Sequence, residues 1–192
     1  MKHIKTRLQE RSSNILENLE YFEEVIIEFS EKITLSLAAG KKLLFCGNGG
    51  SAAESQHIAA EYCATLNHHN PRKGFKAMAL SVDTSFITAW SNDFGFEGIF
   101  ERQIETLGEE NDILICYSTS GSSKNIIKGA LEAKRKKMHV LAFTGNSKEN
   151  KLVDIADHSF IAPSSKTAMI QEMHTIIGHE VCLAVERSIA RD

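Results

Sequence analysis

His57 and Glu61 stand four residues apart within Ala52 to Tyr62, a run of good helix formers, so they share one face of a helix. Just upstream, Leu43-Leu44-Phe45-Cys46 has the composition of a short buried strand. Gly47-Asn48-Gly49-Gly50 then lets the backbone turn sharply and lets a ligand approach it closely. Ser51 stands where an N-cap is expected. A strand, a glycine loop and a helix start make an anion site, because free N–H groups and the helix dipole point outward there. An ordinary surface i,i+4 pair is the alternative for His57 and Glu61. A phosphate cradle and a His/Glu pair on one element instead point to chemistry on a phosphorylated molecule.

A second candidate cradle follows the apolar run Asp112 to Tyr117. Ser118-Thr119-Ser120-Gly121-Ser122-Ser123 places five hydroxyls and a glycine before an amphipathic helix from Ile126 to Lys137. Capping and turn formation need fewer such residues, so a phosphate site is favoured over a Ser-rich cap. Asn92-Asp93, inside a polar turn from Ser91 to Phe96, either contact a ligand or cap a helix from Glu97 to Leu107. His68 and His69 fall in a polar loop with Asn-Pro and Lys-Gly turn signals and are expected in solvent. Cys46, Cys63, Cys116 and Cys182 show no paired spacing and are expected as reduced thiols in apolar segments.

The elements that must position these residues follow from the apolar pattern. Residues 3–39 carry a helical stripe from Ile4 to Leu37, as one long helix or two, ended by Gly40 as a C′ residue. Further strands are expected over Lys76 to Val82, Asp112 to Tyr117, His139 to Thr144 and His158 to Ala162. Helical stretches fall between them, a short one over Glu149 to Ala156, and a last helix runs from Lys166 to Ala190. Strands alternating with helices imply an α/β fold: a three-layer αβα sandwich around a five-stranded parallel sheet, with ligands at the carboxyl ends of the strands. The 192 residues, 42% hydrophobic, suffice for a single domain, with a helical segment over 1–40 and an α/β core over 41–192. A net charge of -3 argues against a nucleic-acid surface. With no apolar signal region and no bilayer-length run, a cytoplasmic location without membrane contact is expected.

Four motifs in order resemble one family: Gly47-Asn48-Gly49-Gly50-Ser51, Asn92-Asp93-Phe94-Gly95-Phe96, Ser118-Thr119-Ser120-Gly121 and Ile170-Gln171-Glu172-Met173-His174. Together they look like a sugar-isomerase (SIS) domain of the phosphoheptose isomerase type, and the resemblance spans essentially the whole chain. It implies conversion of sedoheptulose 7-phosphate to D-glycero-D-manno-heptose 7-phosphate for surface polysaccharide such as lipopolysaccharide. Asn48, Gly49, Gly50, Ser51, Glu61, Asn92, Asp93, Ser118, Thr119, Ser120, Ser123 and Gln171 match the sugar-phosphate contacts. Glu61 and His179 match the acid/base pair. Members that hold zinc, one per subunit, imply His57, Glu61, Gln171 and His179 as its ligands. The family further implies a homotetramer with active sites shared between subunits.

The implied reaction suits these side chains. Moving a proton between C1 and C2 through an enediolate needs a base such as Glu61 and a shuttle such as His179. Zinc would polarise the two oxygens. Gln171 and His179 lie eight residues apart, about 12 Å along a straight helix, so one ion takes both only from a broken helix or from different subunits. His174, three residues after Gln171, is either a structural histidine, the favoured reading, or a partner standing behind the ligands. The chain departs from the family at Ala64-Thr65, where a Gly-Arg pair is usual, and at Met169, where arginine is common. Arg72, Lys73 or Lys124 are candidates to compensate. Two alternatives are a non-catalytic relative that binds the bacterial replication initiator, and an isomerase of a shorter sugar phosphate. Retention of Glu61 and His179 favours an enzyme.

Overall fold

The computed structural model describes residues 2–189. Helices α1 (Lys2–Leu16) and α2 (Leu19–Ala38) come first, so the N-terminal stripe forms two helices. The strands are β1 (Leu43–Gly47), β2 (Ala77–Ala79), β3 (Ile113–Ser118), β4 (His139–Gly145) and β5 (His158–Ala162). The remaining helices are α3 (Gly50–Cys63), α4 (Thr84–Phe94), α5 (Ile99–Leu107), α6 (Lys124–Arg135), α7 (Lys151–Ile155) and α8 (Thr167–Ile189). A 3-10 turn over Phe96–Gly98 joins α4 to α5. All strand pairs are parallel, in the order β2-β1-β3-β4-β5.

Side chains alternate along each strand and feed two cores. Leu43, Phe45, Ile113, Ile115, Leu141 and Phe143 pack under α2, α3 and α8, where Phe29 meets Phe143 edge-on with ring centroids 5.3 Å apart. Leu44, Cys46, Leu114, Cys116, Val140 and Ala142 pack under α5, α6 and α7 on the other face. This is the expected three-layer arrangement. Because β1 and β3 are neighbours whose following helices leave to opposite faces, their carboxyl ends border a crevice at the switch point of the sheet, where open α/β sheets bind ligands.

Several local expectations change. Helix α3 begins two residues earlier than a Ser51 cap requires. Gly49, at φ 56°, is the N-cap residue and its carbonyl accepts from Ala52 and Ala53. Ser51 is buried in the first turn instead. Strand β2 is only three residues, because the chain turns after Leu80 and Asp83 then caps α4 by accepting from Phe86 N–H at 2.9 Å. Asn92 and Asp93 do not cap the following helix. They sit in the last turn of α4, which Gly95 ends at φ 94°, and Asn92 donates to Asp93 at 2.7 Å. Gly40 ends α2 at φ 74°, as expected of a C′ glycine. The expected end of the last helix at Ala190 lies outside the described residues.

Candidate active site

Two loops flank the switch-point crevice. Gly47 to Gly49 leads from β1 into α3, and Ser118 to Ser123 leads from β3 into α6. They are tied across the crevice by reciprocal amide bonds: Asn48 Nδ2 donates to Asn125 Oδ1 at 2.9 Å, and Asn125 Nδ2 donates to Asn48 Oδ1 at 2.8 Å. Asn125 is buried and also accepts from Ile126 N–H. It was missed in the sequence because its partner lies 77 residues away. In the second loop Ser118 is buried with its hydroxyl unpartnered among the described residues, Ser120 is exposed, and Ser123 occupies the N-cap position of α6 without a side-chain bond. These donors are available to an anion placed between two helix starts.

The histidine and carboxylate groups lie down a seam between α3 and α8. The two helices run side by side in the same direction, shown by a near-constant offset of their contacts. A Cβ on Gly50 would stand 2.6 Å from Gln171 Nε2, Thr175 bonds Glu54, and a Cβ on Gly178 would stand 3.1 Å from Ile58. The lack of a side chain at Gly178 thus allows the close approach beside His179. Further along, His57 Nε2 and His179 Nε2 are 2.7 Å apart, with the rings edge-on at 83°. One ring nitrogen donates and the other accepts at that distance. Glu61 Oε1 lies 4.0 Å from His57 Nδ1, and ligand atoms of His57, Glu61 and His179 all fall within 4.8 Å of one another.

Of the two arrangements by which one ion could take both Gln171 and His179, the broken helix is excluded, which leaves donors from different subunits. Helix α8 is continuous, and its His179 meets His57 of the same chain. Gln171 lies instead beside Gly50, seven residues and about 10 Å of helix rise before His57. Asn92 and Asp93 are exposed on α4.

Glu54 is a second residue the sequence reading missed. Its Oε2 accepts from the Thr175 hydroxyl at 2.6 Å, and burial raises its pKa against the opposing pull of that bond, His57 and His179. Its spacing to His57 and Glu61, three and seven residues, is the signal that would have found it. His174 has the structural role expected. It is buried among Tyr117, Phe143 and Phe160, bonds the Thr144 carbonyl oxygen at 3.1 Å, and has its pKa lowered by burial to about 4.

Two of the three cations named as substitutes for the missing arginines, Arg72 and Lys124, are engaged elsewhere. Arg72 donates to the carbonyl oxygens of Glu61, Tyr62, Ala64 and Lys73, lies over Phe75, and pairs with Glu186 at 2.9 Å. It caps the end of α3. Lys124 pairs with Glu97 at 2.9 Å. Met169 fills the core.

The SIS domain family model matches residues 8–145. A phosphoheptose isomerase of Maridesulfovibrio salexigens is 39% identical over 186 residues, covering 97% of this chain and 87% of its own. One from Burkholderia pseudomallei is 47% identical over 154 residues, covering 80% of this chain and 77% of its own. Among solved structures, a phosphoheptose isomerase from Neisseria gonorrhoeae superposes with a TM-score of 0.89 at 33% identity, over 97% of this chain and 98% of that one. Another, from Francisella tularensis, gives 0.91 at 31% identity over 97% of both chains.

Proposed function

The chain belongs to the phosphoheptose isomerase family of SIS-domain proteins, and we propose that its chemistry takes place at the His57–Glu61–His179 cluster. It is an aldose–ketose isomerase of sedoheptulose 7-phosphate. The product is D-glycero-D-manno-heptose 7-phosphate, supplied to surface-polysaccharide synthesis. The observation that carries the assignment is the meeting of two imidazoles and a carboxylate within 4.8 Å, on a helix whose start is an anion-binding loop.

The substrate phosphate is held by N–H groups at the start of α3 and by Ser118, Thr119, Ser120 and Ser123, with Asn48, Ser51, Asn92, Asp93 and Gln171 meeting the sugar. Glu61 removes the proton from C1 and returns it at C2, and His179 moves protons between the two oxygens as the enediolate forms and collapses. Two imidazoles and a carboxylate are a donor set that suits zinc, so His57, Glu61 and His179, whose ligand atoms lie within 4.8 Å of one another, would hold one ion per subunit. When bound, zinc supplies Lewis-acid polarisation of the C1 and C2 oxygens. Gln171, the fourth candidate donor, lies about 10 Å of helix rise from His57 in its own chain, so it would reach the ion from another subunit. The enzyme is proposed to work as a homotetramer with shared sites. Among the described residues no helix is long and apolar enough to cross a membrane. A cytoplasmic location and the absence of nucleic-acid partners belong to the same proposal. The non-catalytic alternative is not favoured by the family match, nor by Glu61 and His179 converging as an acid/base pair.

The test is incubation of the protein with sedoheptulose 7-phosphate in D2O, followed by NMR, beside Glu61→Gln. The expected result is aldoheptose phosphate with deuterium at the exchanging carbon, slowed at least about a hundredfold in the variant. A folded protein giving neither product nor exchange would overturn the assignment.

A further inference from the structure

The amide that joins the two loops of the crevice is held in one orientation by the backbone. Asn125 lies in the first turn of α6, 3% exposed, where its Oδ1 accepts from Ile126 N–H at 3.0 Å. A backbone N–H can only donate, so the oxygen and nitrogen of this amide cannot change places without breaking that bond. The reciprocal bonds carry the same constraint across the crevice. Asn125 Nδ2 donates to Asn48 Oδ1 at 2.8 Å, and Asn48 Nδ2 donates to Asn125 Oδ1 at 2.9 Å.

Asn48 is half-buried in the glycine loop, between Gly47 and Gly49. Its carboxamide carries two N–H groups and one oxygen. The pair with Asn125 uses one of those N–H groups and turns the oxygen toward Asn125, which leaves the second N–H as a donor. Freed from Asn125, the amide could turn over and offer its oxygen instead. In a crevice bordered by loop N–H groups and hydroxyls, an oxygen-rich anion is matched by donors and repelled by a carbonyl oxygen. A contact between apolar side chains would tie the loops without burying polar groups. What the amide pair adds is a fixed orientation of Asn48.

We propose that Asn125 is a positioning residue of the isomerase site, locking the Asn48 amide so that it donates an N–H to an oxygen of the sugar phosphate. It acts through Asn48 and is too buried to touch the substrate itself. The inference rests on the isomerase reading of the site and on Asn48 as a substrate contact.

The experiment places Asn125→Ala and Asn125→Asp in the wild type and in Asn48→Ala. It measures kcat, KM and thermal midpoint on sedoheptulose 7-phosphate, beside Glu61→Gln. Asn125→Asp keeps the side-chain shape and an acceptor for Ile126 N–H, so the comparison survives if the alanine variant fails to fold. In the wild type each substitution should lower kcat/KM about tenfold. In Asn48→Ala, Asn125→Ala should cost less than about twofold. Asn125→Asp, whose charge acts in both backgrounds, should cost less there than in the wild type. A tie that only holds the fold together would lower the thermal midpoint and give losses that multiply with Asn48→Ala. Multiplying losses, or wild-type kcat/KM in Asn48→Ala or in Asn125→Ala, overturn the proposal while a slow Glu61→Gln leaves the isomerase reading standing. Turnover unchanged by Glu61→Gln overturns both.

Discussion

His174 shows how far one side chain can set the acid stability of this fold. Its ring lies among three aromatic rings, Nε2 bonds the Thr144 carbonyl oxygen, and Nδ1 is buried without a partner. Burial lowers its pKa from 6.5 to about 4, and the Thr144 bond opposes that only in part. Between those values the unfolded chain binds the proton and the folded chain does not. Stability is therefore full above pH 6.5 and is lost as pH falls toward 4, by about 3 kcal/mol. His174→Phe has no such proton to bind. The stability gap between wild type and variant, from urea midpoints at pH 7, 5.5 and 4, should shift by about that amount in the variant's favour as pH falls. A gap independent of pH would refute it. The structural role of His174 was legible because it follows Gln171 by three residues in an apolar helix. The Asn125 and Glu54 bonds were not, because each depends on a partner on another element.

At the scale of elements, the register of α3 against α8 places Glu61 beside His179, and its far end is held by one ion pair. Glu186, buried on α8, accepts from Leu66 and Asn67 N–H and from the Thr65 hydroxyl, and pairs with Arg72, whose guanidinium caps the last carbonyls of α3. Arg72→Met leaves that carboxylate buried without its cation and should cost about 3 kcal/mol in urea unfolding. With Glu186→Gln the two losses should be less than additive by more than about 1 kcal/mol, since they remove one interaction. Strict additivity would show that the two groups act separately. The sequence displayed the helices and most strands clearly, through apolar period and glycine punctuation. It hid the start of α3, where glycine geometry displaced a serine cap, and the shortness of edge strand β2. It also hid the job of Arg72, since Thr65, which replaces a usual arginine, sits in the network that Arg72 and Glu186 complete.

For the whole molecule, the cluster is too open for the reaction if one chain acts alone. The His57 side chain is 47% exposed, whereas an enediolate needs water kept away from its carbons. The chain also leaves large apolar side chains uncovered. Ile4 and Leu8 lie one turn apart on α1, Leu16 and Leu19 follow at its junction with α2, and Ile176 sits on α8 between Thr175 and His179. Arg11 pairs with Glu172 at 2.6 Å and Asn14 donates to the Pro163 carbonyl oxygen, so α1 is fixed against the body beside the first turns of α8. Several large apolar side chains exposed on the outer helices are a usual mark of a subunit contact. Light scattering should therefore give a mass near four times the 21.3 kDa chain. Leu8→Glu, which puts a charge on exposed α1 without disturbing a buried residue, should yield smaller species. Its turnover should fall on dilution at concentrations where the wild type keeps its rate. A wild-type monomer with full turnover would mean that one chain shields its own enediolate, and the shared site would have to be abandoned.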